Sequence, residues 1–387
     1  MLEGRSSKHE IAELINVDFE IDKKLKAYYK SCMNVKLMKE LGTRPEKKVL
    51  KELGGWPVTE GNKWKNEASF KWYDQILKME EKGFYEESKS IIAYKYESEM
   101  GDDGPKVLIL DVPFLWGKLE AMNLEDMVNA SVLLGAVAEQ ARIELSDTLQ
   151  LRKEIVDIIN QYTDSSSTII SDVVLLENLN EALGSESNEP LPGHPPNWTI
   201  FFRSWLSKYG VTVQEKDKIR LKNINYLKSI STVLTKYQNK PRVLANYLGW
   251  FVVDYSLIFL TTKGIGKTHE KLTMAPRWKI CIGKSGFSDF DGYFDYSAAM
   301  AGSMYMRKHF KFANRNFVLK LIKYIRTAFY DMIKKSKWMD STTTEHALTK
   351  LDRIAQIAAY PEDALNKTFI DGLFDGTIKL IIKKIFL

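Results

Sequence analysis

KPRVLANYLGWFVVDYSLIFL, residues 240 to 260, decides between two folds. Its second half, residues 248 to 260, is apolar enough to be a strand buried within a parallel sheet. It runs into Thr261-Thr262-Lys263-Gly264-Ile265-Gly266-Lys267-Thr268, which has the look of a phosphate-cradling turn. Two features decide for a helix. Leu244, Tyr247, Leu248, Phe251 and Tyr255 recur at steps of three or four, and the pattern outlasts a usual strand. The phosphate loop Gly-x-x-x-x-Gly-Lys-Thr also needs a glycine where Thr261 stands, because backbone amides must wrap the phosphate before a helix begins. The stretch therefore reads as a loop closing a helix. The apolar run is interrupted by Asp254 and is too short to cross a bilayer.

The same periodicity extends in both directions. Helices are predicted over 124–145, 216–237, 240–260 and 314–335, with a break at Asn239-Lys240-Pro241. Over 341–358, Thr342 and Glu345 form a capping box, Ala347, Leu351, Ile354 and Ala358 share a face, and Pro361 stops the continuation. Within 90–113, two β-favouring runs flank Gly101-Asp102-Asp103-Gly104-Pro105 and predict a hairpin. The Pro-, Gly- and Ser-rich residues 183–199 predict an exposed loop. The expected fold is mainly α, a large multi-helix assembly with one small β-hairpin near 90–113.

Composition narrows the function classes. Hydrophobic residues make up 44% of the 387, enough for a substantial core. A net charge of +6 is spread along the chain rather than gathered on a basic face, which argues against nucleic acid as a partner. No basic leader followed by an apolar segment is visible at the N-terminus, and no membrane segment is expected. Two cysteines, Cys32 and Cys281, suit either incidental thiols or one long-range disulfide.

Catalytic motifs are incomplete throughout. A zincin helix needs His-Glu-x-x-His so that two imidazoles meet one metal from adjacent turns. His9-Glu10 is followed by Glu13 and His269-Glu270 by Thr273, and the histidines at 9, 194, 269, 309 and 346 share no ligand spacing. Ser285 lacks the Gly-x-Ser-x-Gly elbow and reads as a loop serine. No catalytic and no metal-binding residue is assigned. Asn129, Asn197 and Asn366 begin Asn-x-Ser/Thr sequons, and Asn197, in the predicted loop, is the best candidate for glycosylation. The C-terminal TIKLIIKKIFL reads either as a basic amphipathic segment or as a divergent tail.

Several short stretches, in order, resemble one family. Tyr28-Tyr29-Lys30-Ser31-Cys32-Met33-Asn34 is similar to a cysteine signature of the neprilysin-like zinc metalloendopeptidases, and Gly54-Gly55-Trp56-Pro57 follows at the family's spacing. Asn246-Tyr247-x-x-Trp250, Arg277-Trp278-x-x-Cys281 and Gly302-x-x-Tyr305 continue the resemblance. Trp338-Met339-Asp340, Lys350-Leu351-Asp352 and Tyr360-Pro361 complete it over residues 12–363, leaving 1–11 as a leader and 364–387 as a divergent tail. Asp111-Val112-Pro113-Phe114-Leu115-Trp116-Gly117 departs from the family pattern, and Ala359 stands where a glycine is common.

The resemblance implies a helical, lid-type region that covers a catalytic cleft and admits small peptides. It implies that Cys32 and Cys281 are disulfide-bonded, and that the protein is extracellular or at the cell surface. In the full-length family the cofactor is zinc, held by residues beyond the Tyr-Pro segment, where a glutamate activates metal-bound water. None of those residues falls within the 387, so this chain alone is expected to be inactive. The alternative is a truncated, secreted homologue that binds peptides or proteins without cleaving them.

Overall fold

The computed structural model describes residues 20–98, 106–113, 122–163, 171–183, 197–257 and 312–356, with shorter stretches at 260, 277–278, 281, 304–309, 358, 366–368 and 370–372. The chain divides into two units. The smaller draws on both ends of the sequence, Met1–Met33 and Cys281–Phe386, and the larger is Asn34–Ile280. The smaller unit opens with α1 (Glu20–Met33). The larger follows with α2 (Val35–Leu41), α3 (Arg44–Glu52), α4 (Pro57–Glu60), α5 (Trp72–Glu81) and α6 (Tyr85–Ser88). Next come β1 (Ala93–Ser98), β2 (Lys106–Asp111), α7 (Leu124–Leu133), α8 (Ala138–Thr163), β3 (Ser171–Leu175) and α9 (Leu179–Ala182). It closes with α10 (Trp198–Ser207), β4 (Lys218–Lys222), α11 (Ile224–Lys236) and α12 (Pro241–Leu257). The smaller unit resumes with α13 (Phe312–Lys335) and α14 (Ser341–Arg353). The fold is mainly helical, as expected.

The stretch that decided the fold is α12. Pro241 occupies its first position, where a missing N–H costs nothing. Unlike a surface helix it is buried nearly all round, from Val243 through Val253. Around it lies a hydrophobic cluster reaching, among the described residues, from Leu50 to Leu257, with Trp56, Trp72, Tyr226, Tyr247 and Phe251 among its most enclosed side chains.

The predicted hairpin is present: β1 and β2 pair antiparallel, with Tyr94 opposite Leu110. Two further strands extend it into a mixed sheet of order β1-β2-β4-β3. Here the helix expected over 216–237 gives way. Lys218-Ile219-Arg220-Leu221-Lys222 alternates with period two, burying Ile219 and Leu221, and pairs parallel to β2 and antiparallel to β3. Asn223 then takes a left-handed conformation (φ 58°), and its side chain accepts from Tyr226 N to start α11.

The helix expected over 124–145 is two helices. Gly135 (φ 110°) ends the first. Ala136 N donates to Ser131 O and Gly135 N to Val132 O, the paired bonds of a glycine-terminated helix. At the start of α14 the cap is Asp340 rather than the Thr342 box. Asp340 accepts from both Thr343 N and Thr343 Oγ1 at 2.8 Å, and these bonds hold its carboxyl below the ordinary range. That helix ends at Arg353, short of the predicted 358, and leaves Ile354 exposed. Of the predicted loop 183–199, residues 184–196 lie outside the described residues; Asn197 caps α10, accepting from Ile200 N.

Candidate functional site

Two of the quoted stretches meet inside the larger unit. Gly54 and Gly55 carry φ of 109° and 89°, values an L side chain rarely adopts, and they turn the chain so that Trp56 enters the core. There the Trp56 indole Nε1 donates to Asn246 O (3.3 Å), and Val58 N donates to Asn246 Oδ1 (3.0 Å). Asn246 Nδ2 in turn donates to Glu144 Oε1 at 2.7 Å. Glu144 is also gripped by Arg242, Nε to Oε1 (3.0 Å) and Nη2 to Oε2 (2.9 Å). Arg242 reaches further, to Gly61 O and Pro57 O, both at 3.1 Å, and its guanidinium lies over the Trp64 ring.

This hub ties α12 and α8 to the Gly-Gly-Trp-Pro turn and α4. Asn246 is fully buried, and both ends of its amide are used. Chemically it is a brace: its polar groups bond to one another.

A second polar centre sits at Glu80 of α5. Its Oε1 accepts from the Tyr94 hydroxyl (3.0 Å) and lies 3.0 Å from Ser88 Oγ. Its Oε2 accepts from Trp205 Nε1 (2.9 Å) and the Tyr209 hydroxyl (2.8 Å). Burial and the neighbouring Glu80 push the Tyr94 hydroxyl well above the ordinary tyrosine range. Tyr226 and Tyr247 similarly anchor the chain entering β1, donating to Ile91 O (2.6 Å) and Ser90 O (3.0 Å).

Cys32 and Cys281, both in the smaller unit, are joined, with their Cα atoms 5.7 Å apart. The sequon asparagines differ in setting. Asn129 is half-buried on α7, whereas Asn197 and Asn366 are exposed. His9, His194, His269, Ser285 and residues 261–276 lie outside the described residues. His309 stacks on Tyr305 and His346 lies on α14. Among the described residues no three His, Cys, Asp or Glu side chains converge as metal ligands. They do not form a zinc site, and no step of a reaction is assigned to them. No described helix is long and apolar enough to cross a membrane.

Residues 2–361 match the family model described as Peptidase family M13. The chain belongs to peptidase family M13. Drosophila melanogaster Neprilysin-2 is 27% identical over 361 residues, covering 87% of this chain and 45% of that protein. The Locusta migratoria endothelin-converting enzyme homolog is 24% identical, covering 91% and 49%. The chain thus spans about half the length of the curated M13 relatives it matches. Mycobacterium tuberculosis zinc metalloprotease Zmp1 in its open state superposes with a TM-score of 0.63 at 11% identity, over 98% of this chain and 59% of that one. PepO from Lactobacillus rhamnosis gives 0.59 at 13% identity, over 97% and 59%. At such identities these two structures establish the fold.

Two of the stretches that carry the resemblance are thus scaffold. Gly54-Gly55-Trp56-Pro57 and Asn246-Tyr247-x-x-Trp250 are two sides of one packed junction. Glu144 and Arg242, which complete it, lie in ordinary helical sequence, and no local signal marks them.

Proposed function

We propose that this chain is the helical, lid-bearing portion of a neprilysin-like zinc metalloendopeptidase that cleaves small peptides outside the cell or at its surface. The observation that carries this reading is the family match over residues 2–361, combined with coverage of less than half of each curated relative. The relatives carry endopeptidase and converting-enzyme names, and zinc would be held by residues outside the part of those relatives that these 387 residues match. The helical region 12–363 would act as one family module, with the hub at Asn246 holding the lid rigid.

On this reading the 387 residues alone neither bind zinc stoichiometrically nor cleave peptides. The test is to sequence the transcript past Leu387 and to assay both the 387-residue chain and its natural-length product on short apolar peptides, with bound zinc measured in each. Activity and one zinc only in the longer product is the expected result. Zinc and activity in the 387-residue chain overturn it. An in-frame stop after Leu387 in a secreted protein favours the non-catalytic binding homologue instead.

The sequons fit the same compartment. Asn197 is exposed, and its Oδ1 serves as the α10 cap and an acceptor for Asn180. A mass shift on glycosidase treatment, reduced in Asn197→Gln, is expected from protein made in a secretory host; its absence would argue against glycosylation at Asn197.

A further inference from the structure

We propose that a cleft on α14 is a binding site for a small, soluble phosphate monoester, held by Lys350 and Arg353. The chemistry of that cleft goes beyond the peptidase reading and does not depend on it. His346, Lys350 and Arg353 stand at steps of four and three along the helix, so they project from one side of it over two turns. With Thr349 and Ile354 they line, among the described residues, a cleft of about 470 Å³. That volume lies within the range of small-molecule sites, about 300–1,000 Å³.

The lining is cationic and has no acid to balance it. Glu345 and Asp352 each fall one residue before a lining residue, roughly 100° round the helix, and neither lines the cleft. Lys350 and Arg353 are exposed and have no ion-pair partner among the described residues. Cations near a helix C-terminus ordinarily serve its unpaired carbonyls and the negative end of its dipole. Here another element performs that task. Arg326 of α13 donates from Nη1 to Ile354 O at 3.0 Å and from Nη2 to Leu351 O. Lys350 and Arg353 are therefore left available to a ligand.

The ligand class follows from charge and shape. A phosphate monoester carries about −1.5 to −2 at neutral pH, which matches one lysine and one arginine; a carboxylate or sulfate ester, singly charged, would leave one cation unmatched. The guanidinium fork of Arg353 suits two phosphate oxygens at once, and Lys350 adds a point charge for the third. The Thr349 hydroxyl is a further donor. Ile354, 51% exposed, follows Arg353 and offers the cleft an apolar wall for the organic half of the ester. His346, one turn before Lys350, supplies an aromatic face and a ring N–H to the same half.

Calorimetric titration of the 387-residue chain with phenyl phosphate tests the site. One saturable site with Kd below about 1 mM is expected, with inorganic phosphate at least about threefold weaker and phenyl sulfate about tenfold weaker. Lys350→Ala and Arg353→Ala should each weaken phenyl phosphate at least about tenfold, the loss of one charge-assisted hydrogen bond. Arg353→Lys keeps the charge without the fork and should restore only part of that loss. Lys323→Ala, an exposed lysine of α13 outside the cleft, should change nothing. No saturable binding up to about 10 mM phenyl phosphate overturns the site. A loss in Lys323→Ala as large as in Lys350→Ala also overturns it, since that is general attraction to a basic surface. Vesicles containing phosphatidic acid should not sediment the chain; sedimentation abolished by Arg353→Ala would replace the soluble ester with a lipid headgroup.

Discussion

Gly249 lies directly against the Trp56 indole: a Cβ at 249 would stand 2.4 Å from Trp56 Cδ1 and 2.8 Å from Nε1. Two residues far apart in sequence are thereby locked at van der Waals contact, with the Trp56 N–H bonded one turn away to Asn246 O. The glycine is needed for the close approach of an indole to a helix backbone, which a methyl group would block.

Gly249→Ala should therefore destabilise the larger unit, although alanine is the better helix former. Overpacking of this kind costs about 1–3 kcal/mol and outweighs the helix-propensity gain of about 1 kcal/mol. Urea unfolding followed by tryptophan fluorescence reads it directly. An unchanged or raised midpoint would show that the indole moves aside freely.

Asn246→Ala strips the acceptor from Val58 N and the Nδ2 donor from Glu144, at about 1–3 kcal/mol for each group left unpaired in the interior. Asn246→Asp keeps the acceptor for Val58 but sets a second carboxyl against Glu144. It should cost at least as much at neutral pH and recover on acidification. Equal, pH-independent losses in the two variants would mean that the Glu144 bond contributes little.

Much of this architecture was legible in the sequence, and the exceptions share a cause. The α12 helix was readable because Leu244, Tyr247, Leu248, Phe251 and Tyr255 keep step over many residues. The strand at Lys218–Lys222 was not, because five residues of alternation were absorbed into the helical pattern of the α11 residues that follow. Its partner β2 lies more than a hundred residues earlier, so only tertiary pairing reveals it. The break at Gly135 was open to a reader who weighed one glycine above the apolar periodicity around it. Glu144 and Arg242 could not have been singled out, since nothing near either residue announces its partner 98 positions away.

Glu46 of α3 supplies a pH dependence. It is buried beside Ser256, its Oε1 has no hydrogen-bond partner, and burial raises its pKa to about 8 from 4.5. Between those values the folded state holds a proton that the unfolded state has released. Stability should accordingly fall as pH rises from about 4.5 to about 8 and level off above. Glu46→Gln should flatten that slope in unfolding midpoints taken across the range. A slope that survives the substitution would place its origin elsewhere.

The disulfide closes a loop with a sequence separation of 249, long enough to constrain the unfolded chain substantially. Cys32→Ser with Cys281→Ser should lower stability by about 2–5 kcal/mol, as should reduction of the parent chain. A parent protein whose melting is indifferent to reductant would contradict this.

The same bond has a topological meaning. The larger unit leaves the smaller one after Met33 and returns at Cys281, and Cys32 and Cys281 stand 5.7 Å apart at their Cα atoms. Consecutive Cα atoms are themselves about 3.8 Å apart, so one or two residues could bridge the gap. Residues 34–280 are in this sense a cassette: a folded excursion with its own core, whose entry and exit are stitched together at the neck. Because its two ends lie side by side, the length of that excursion does not by itself set the path of the chain that carries it.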